Sequence, residues 1–154
     1  MKSISLKIIK TGIIVGTLDI LAAFTYFSIK TGQKSPVNLL RFVASGFFGK
    51  DAFTGGNSMV EAGLLFHYFI ATAFTAFFFL LFPKIRFFAN NKILTGILLG
   101  IFVFALMNFI VVPLSSIPPR PLNLINSLIN ALILICCIGL PLSFIASSYY
   151  KKHR

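Results

Sequence analysis

The sequence predicts an all-α integral membrane protein, in which residues 1–154 form one transmembrane domain of four helices packed as a compact bundle. Hydrophobic residues make up 57 % of the chain and charged residues 11 %, against roughly 25 % charged residues in a soluble domain. A soluble domain of 154 residues has too high a surface-to-volume ratio to bury this much apolar surface. The basic residues lie between long apolar runs, which is where they orient helices in a bilayer.

Four apolar runs are long enough to cross the ~30 Å hydrocarbon core, which takes about 20 mostly apolar residues in a helix. The predicted spans cover about residues 11–29, 60–82, 93–112 and 124–149. Pro83 and Pro113 fall where the second and third spans should end, because proline cannot continue the hydrogen-bond ladder of a helix. A signal peptide is the alternative at the N-terminus, but the run is too long for one and contains Asp19.

The loop between the first two spans contains a predicted amphipathic helix at about residues 36–49. Ser35 is the expected N-cap and Pro36 the expected first helical residue. Apolar residues then recur at helical spacing, at Leu39, Leu40, Phe42, Val43, Phe47 and Phe48. This pattern is typical of a helix that lies on a membrane surface, here the outer one.

A glycine-rich stretch follows this helix and forms a candidate outer-loop site. Its members are Asp51, Gly55 and Gly56, together with Glu61 at the mouth of the second span. The two acids could bind a cation, but Glu61 is expected mainly to cap the N-terminus of its span, where the helix dipole favours an acid. The stretch lacks the spacing of a phosphate-binding loop. The alternative is a turn that folds the surface helix back onto the bundle.

Small and polar residues share one face of each span, which predicts a polar seam inside the bundle. Asp19 lies near the predicted bilayer midplane, where a charge costs at least ~2.5–3.5 kcal/mol, so it should face the bundle and have a partner. His67, Asn108 and Asn130 are the candidate partners, since Arg and Lys are absent from all four spans. The functional interpretation is a proton relay between Asp19 and His67. The alternative is a structural hydrogen bond that fixes helix register.

The distribution of positive charges predicts the orientation of the chain. Four spans place both termini on the same side of the membrane. That side carries nine basic residues: Lys2, Lys7, Lys10, Lys84, Arg86, Lys92, Lys151, Lys152 and Arg154. The other side carries the remaining five of the 14: Lys30, Lys34, Arg41, Lys50 and Arg120. Positive charge concentrates on the cytoplasmic side, so both termini are predicted to be cytoplasmic. Because the net charge of +11 flanks apolar spans and reflects only three acids, we expect no nucleic-acid partner.

The chain offers little for metal binding or catalysis. Cys136 and Cys137 are adjacent, so their side chains point about 100° apart on a helix and do not share a metal or a disulfide. His67 and His153 have no second ligand at close helical spacing, and Ser115 has no neighbouring base. We therefore expect no metal and no cofactor, and enzyme activity has little support.

Four segments form a distinctive combination: GTLDI at 16–20, GKDAFTGG at 49–56, HYFIA at 67–71 and MNFIVVPLS at 107–115. Together they resemble a family of small, uncharacterised bacterial inner-membrane proteins. More loosely, FPKI at 82–85 and the proline-rich third loop are similar to YagU-like membrane proteins. The resemblance implies a location in the bacterial inner membrane and no established activity.

Two functions follow as hypotheses for a chain whose first partner is the lipid bilayer. One is transport, or the handling of protons or ions, through the polar seam. The other is an accessory or assembly role, in which the outer loop binds a membrane protein or lipid. An enzyme that acts on lipid is a third alternative. Four helices enclose too little space for a wide pore, so transport would favour a homo-oligomer.

Overall fold

The computed structural model of the chain describes residues 2–117 and 123–152, which form an all-helical fold without strands. The α-helices are α1 (Lys2–Thr31), α2 (Val37–Phe48), α3 (Asp51–Thr54), α4 (Asn57–Leu81), α5 (Arg86–Asn90), α6 (Lys92–Leu106), α7 (Val112–Leu114), α8 (Leu124–Leu134) and α9 (Leu140–Lys152). Two π-helical turns, π1 and π2, cover Met107–Val111 and Ile135–Gly139. Arg120 and Arg154, which contribute to the predicted charge asymmetry, lie outside the described residues.

Four helical segments are long and apolar enough to cross a membrane, which confirms the predicted number and order. They are Ile4–Thr31, Asn57–Lys84, Lys92–Leu114 and Leu124–Lys152. Each extends beyond the predicted apolar run because flanking residues such as lysine are good helix formers and continue the helix. Pro83 acts as predicted, since α4 ends just before it and a 3₁₀ turn follows at Phe82–Lys84.

The sequence predicted that the third span ends at Pro113. In the structure this span continues through Pro113 to Leu114. A proline within a helix lacks an amide hydrogen, and its ring clashes with the carbonyl group four residues earlier. The wider turn π1 lies directly before Val112 and Pro113, and π2 stands in the same position before Leu140 and Pro141. We attribute both π turns to these prolines, because an extra residue in the turn displaces the carbonyl group that the ring would meet.

The helices α1 and α4 pack antiparallel to each other through small residues of α1. A Cβ atom on Gly12 would lie 2.6 Å from the Thr72 hydroxyl oxygen, so only glycine fits there. One turn later, a Cβ atom on Gly16 would lie 3.0 Å from the Tyr68 ring and 3.1 Å from the Ala71 Cβ atom. The small residues therefore let the two backbones approach closely, as predicted for the seam.

The helix α6 packs in the same manner against the fourth membrane-length segment. Gly96 lies against Gly139, and a Cβ atom on Gly100 would lie 2.5 Å from the Cα atom of Ile135. The four membrane-length segments thus form two helical hairpins, one from the first and second segments and one from the third and fourth. In each hairpin, two glycines four residues apart on the first helix let it approach the second helix closely.

The buried core lies toward the end of the molecule where α1 begins and α9 ends. Val15, Phe79 and Leu142 are completely buried there and come from α1, α4 and α9. The Tyr150 hydroxyl group donates a hydrogen bond of 2.7 Å to the carbonyl oxygen of Phe79. This bond joins the last turns of α4 and α9, so that the two hairpins share one core.

The predicted helix between the first two spans is present as α2, although it begins one residue later than expected. Pro36 occupies the N-cap position and Val37 is the first helical residue. Ser35 keeps part of its predicted role, because its Oγ atom accepts a hydrogen bond of 3.4 Å from the Val37 amide. The sequence therefore predicted the start of α2 to within one residue.

The helix α2 packs against the bundle at the end opposite to both termini. Gly63 of α4 contacts the Leu40 carbonyl group directly. The Ser116 amide donates a hydrogen bond of 3.0 Å to the Gly46 carbonyl oxygen, which ties α2 to the loop after α7. Gly49 has a φ of 61°, a left-handed conformation that suits glycine and turns the chain after α2. This packing agrees with the alternative that the glycine-rich stretch folds the surface helix back onto the bundle.

Candidate functional site

Asp19 lies close to the midpoint of the first membrane-length segment, Ile4–Thr31, and its side chain is half-buried. Its carboxyl group interacts electrostatically with the His67 imidazole and with the Cys137 thiol. These three side chains come from α1, α4 and π2, and we call them the mid-helix cluster. Within the described residues, no side chain or amide donates a hydrogen bond to the carboxyl group. The structure thus places Asp19 and His67 within electrostatic range of each other, without a direct hydrogen bond between their side chains.

The imidazole of His67 forms its hydrogen bond with the α1 backbone and not with the Asp19 carboxyl group. Its Nε2 atom lies 2.7 Å from the carbonyl oxygen of Gly16. A carbonyl oxygen only accepts hydrogen bonds, so Nε2 carries a hydrogen in this arrangement. In the neutral imidazole, Nδ1 is then the nitrogen that takes up a second proton.

Hydrogen bonds near the mid-helix cluster hold α1 to both of its neighbours. The Thr17 hydroxyl group donates to the Ile13 carbonyl oxygen at 2.8 Å, so the Tyr68 hydroxyl group, also 2.8 Å from it, is the donor in that pair. The Tyr26 hydroxyl group donates to Asn126 Oδ1 at 2.6 Å and links α1 to α8. The cluster is therefore built on helices whose relative positions are fixed by directed bonds.

The structure does not bring Asn108 and Asn130 into the mid-helix cluster, although the sequence made both of them candidate partners of Asp19. The Asn108 amide donates to the Phe104 carbonyl oxygen of its own helix at 2.9 Å. The Asn130 side chain is exposed. The π2 turn explains part of the difference, because its extra residue breaks the regular helical phase on which the predicted face of the fourth span was based.

Cys137 belongs to the mid-helix cluster; its spacing predicts a place on the small and polar face of the fourth span, but it was not a predicted partner of Asp19. It is half-buried within π2, whereas its neighbour Cys136 is exposed. A signal was present in the sequence, because Cys137 precedes Pro141 by four residues. The proline therefore leaves the Cys137 carbonyl group without its usual helical donor and favours an irregular turn at that place.

The two acids of the predicted outer-loop site, Asp51 and Glu61, lie on different helices and are both exposed. Asp51 is exposed at the start of α3, and its carbonyl oxygen accepts a hydrogen bond of 2.9 Å from the Gly55 amide. Glu61 is exposed as well, and it lies beyond the first turn of α4, whose N-cap is Gly56. The prediction that Glu61 caps this helix is wrong, since the N-terminus of α4 has no side-chain cap.

The mid-helix cluster consists of three side chains that can exchange protons. No group of three or more His, Cys, Asp or Glu side chains that could hold a metal occurs among residues 2–117 and 123–152. A carboxyl group, an imidazole and a thiol each bind and release a proton. A proton that moves from Asp19 to Nδ1 of His67 leaves a carboxylate and an imidazolium, so the net charge of the pair does not change. This matters in an apolar interior, where an unpaired charge is costly.

A scan against models of protein families found no match to this chain, and searches of curated proteins and of solved structures found none either. The resemblance to small bacterial inner-membrane proteins therefore stays a prediction.

Proposed function

We propose that the chain is a multi-pass membrane protein that handles protons by passing them between Asp19 and His67 of the mid-helix cluster. The observation that carries the proposal is the half-buried Asp19 carboxyl group, near the middle of a membrane-length helix and in electrostatic interaction with His67. An ionisable residue at such a depth is expensive and marks an ion path or a proton relay. If Asp19 served only to fix the register between helices, an asparagine, whose amide group does not titrate, would serve equally well.

The proposed transfer uses Nδ1 of His67, because Nε2 is bonded to the Gly16 carbonyl oxygen. The proton leaves the Asp19 carboxyl group as Nδ1 gains it, and the reverse step restores both groups. Four helices leave no room for a wide pore, so the proton travels by side chains and ordered water, and not by an open channel. A homo-oligomer would add a second route of access to the cluster.

The test is proton flux through the purified protein in phospholipid vesicles that contain a pH-sensitive dye. After an acid pulse, the wild-type protein should dissipate the gradient. The Asp19→Asn variant should leave it as stable as in protein-free vesicles, because an amide does not release a proton. Asp51→Asn is the matched control, since it removes an exposed carboxyl group from α3 and should conduct like the wild type.

Folding is checked by the helical circular dichroism signal of each variant in detergent. Asp19→Glu restores a titratable group at the same place and should recover part of the flux. Wild-type flux through a folded Asp19→Asn variant would overturn the proposal, as would an Asp19→Glu variant that folds but does not conduct.

The proposal includes the bacterial inner membrane as the location and cytoplasmic termini as the orientation. Its support is the charge pattern of the chain, in which basic residues flank four apolar helices and dominate the end where both termini lie. Such a bias sets orientation during insertion. The resemblance to small bacterial inner-membrane proteins points to the same membrane.

An accessory role is the second candidate, and the exposed aromatic end of α2 favours it. The Phe47 side chain is 73 % exposed, although its ring lies 5.1 Å from the Phe48 ring and 5.8 Å from the Phe66 ring. Such a ring offers apolar surface to lipid or to a membrane protein partner at the outer surface. This surface is separate from the mid-helix cluster, so that the two roles can be tested independently.

A further inference from the structure

A groove of about 580 Å³ opens between the start of α6 and the middle of α9. We call it the α6–α9 groove. One side is polar and the other apolar, with Asn90, Asn91 and Lys92 on the former and Ile93, Ile97 and Phe144 on the latter. Ile93 is 63 % exposed and Phe144 is 44 % exposed, so the apolar side is open to the surroundings.

Two contacts fix the shape of the α6–α9 groove. The Ser143 hydroxyl group donates a hydrogen bond of 2.8 Å to the Lys92 carbonyl oxygen and holds the start of α6 against α9. The Lys92 Nζ atom lies 6.0 Å from the centre of the Phe144 ring. The ammonium group therefore lies over the face of an apolar ring that lines the groove, where a cation–π attraction favours it.

The charge around the α6–α9 groove is of one sign. Of the three acidic side chains in the chain, Asp19 lies in the middle of α1, and Asp51 and Glu61 lie at the opposite end of the bundle. The charged side chains at the groove end are Lys7, Lys10, Lys84, Arg86, Lys92, Lys151 and Lys152 among the described residues. No acidic side chain is present there to neutralise them, so this end attracts anions.

We propose that the α6–α9 groove binds an anionic phospholipid, with the phosphate group at Lys92 and an acyl chain along Ile97 and Phe144. A single lipid matches both sides of the groove, because its phosphate is anionic and hydrogen-bonds to amide groups while its chain is apolar. Basic pockets between membrane helices bind lipid headgroups in this manner. The inference rests on the membrane placement proposed above but not on proton exchange at Asp19.

The experiment measures which lipid the full chain retains. Protein in nanodiscs of equal parts phosphatidylglycerol and phosphatidylcholine is released and examined by native mass spectrometry. The wild type should keep phosphatidylglycerol in preference to phosphatidylcholine. Lys92→Gln should weaken this retention about fivefold, the effect of one basic residue near an anionic headgroup, and Lys92→Arg should keep it.

Two lysines serve as matched controls. Lys30 at the opposite end also lies over an aromatic ring, with Nζ 5.9 Å from the centre of Tyr26, and Lys30→Gln should leave retention unchanged. Lys7→Gln removes a charge from the same end but outside the groove and should also leave it unchanged.

Three results would overturn the proposal. They are equal retention by the wild type and Lys92→Gln, a loss in Lys7→Gln as large as in Lys92→Gln, and displacement of the lipid by inorganic phosphate at millimolar concentration. The second would indicate diffuse attraction to the whole end, and the third a site for free phosphate. Proton flux is measured separately, so that failure here does not bear on the Asp19 relay.

Discussion

His67 combines a structural bond and a proposed proton site in one side chain, and substitution separates the two. His67→Gln keeps an amide donor that reaches toward the Gly16 carbonyl oxygen, whereas His67→Leu has no donor. Both variants should lose proton flux, since neither takes up a proton near neutral pH. Only His67→Leu should lose stability, by about 0.6 kcal/mol, the average for side-chain hydrogen bonds between membrane helices.

Unfolding in mixed micelles with increasing dodecyl sulfate measures the stability of both His67 variants, and the dye assay measures their flux. Wild-type flux through His67→Gln would mean that another group accepts the proton from Asp19. Equal loss of stability in the two variants would mean that the Gly16 bond depends on the imidazole ring itself.

At the scale of single residues, the sequence indicated members of the site only where an ionisable side chain lies within an apolar run. Asp19 and His67 are ionisable residues in apolar runs, and in the structure they interact electrostatically. Asn108 and Asn130 fit a regular helical face, but their position depends on the phase of helices that contain π turns. Cys137 shares the predicted small and polar face of the fourth span, but it is uncharged, so the sequence did not indicate its interaction with Asp19.

The contact between α6 and the fourth membrane-length segment includes a close approach of Gly100 to the backbone of Ile135. A Cβ atom on Gly100 would lie 2.5 Å from the Cα atom and 2.8 Å from the amide nitrogen of Ile135, and backbone atoms do not yield to it. Gly100→Ala should therefore destabilise the protein by about 1–3 kcal/mol, the usual cost of overpacking. The unfolding midpoint in mixed micelles measures the change.

Gly46→Ala in α2 is the matched control for Gly100→Ala. Its Cβ atom would meet nothing closer than 3.8 Å, so the space is available. Alanine is the better helix former by about 1 kcal/mol, and this variant should be neutral or more stable. If Gly100→Ala behaved like Gly46→Ala, the close approach of α6 to π2 would not exist in the folded protein.

At the scale of the helices, composition was sufficient for most of the fold. A long apolar run can satisfy its backbone polar groups in a bilayer only as a helix, so the four membrane-length segments and their order follow from hydropathy. The amphipathic pattern also located α2 to within one residue. The π turns were not predictable in this manner, because proline can end, kink or widen a helix, and the choice depends on the neighbouring helix.

The whole molecule carries its charge asymmetrically along the helix axes. The end with both termini holds most of the basic side chains and none of the acids, while Asp51 and Glu61 lie at the other end with α2. This one property has two separate proposed consequences. The sum of the charges sets the orientation of the chain, whereas the anionic lipid site takes its charged contact from Lys92. Lys92→Gln should therefore change lipid retention without inverting the protein.

Orientation itself is tested with reporters fused at Arg154 and inserted in the loop at 34–56. Four crossings place both termini on one side, and nine of the 14 basic residues lie on that side in short segments. Short basic segments resist translocation, so this side should stay in the cytoplasm. A green fluorescent protein at Arg154 should therefore fluoresce, and alkaline phosphatase in the loop should be active. Active phosphatase at Arg154 would show that the orientation is the reverse of the predicted one. The α6–α9 groove would then lie in the outer leaflet.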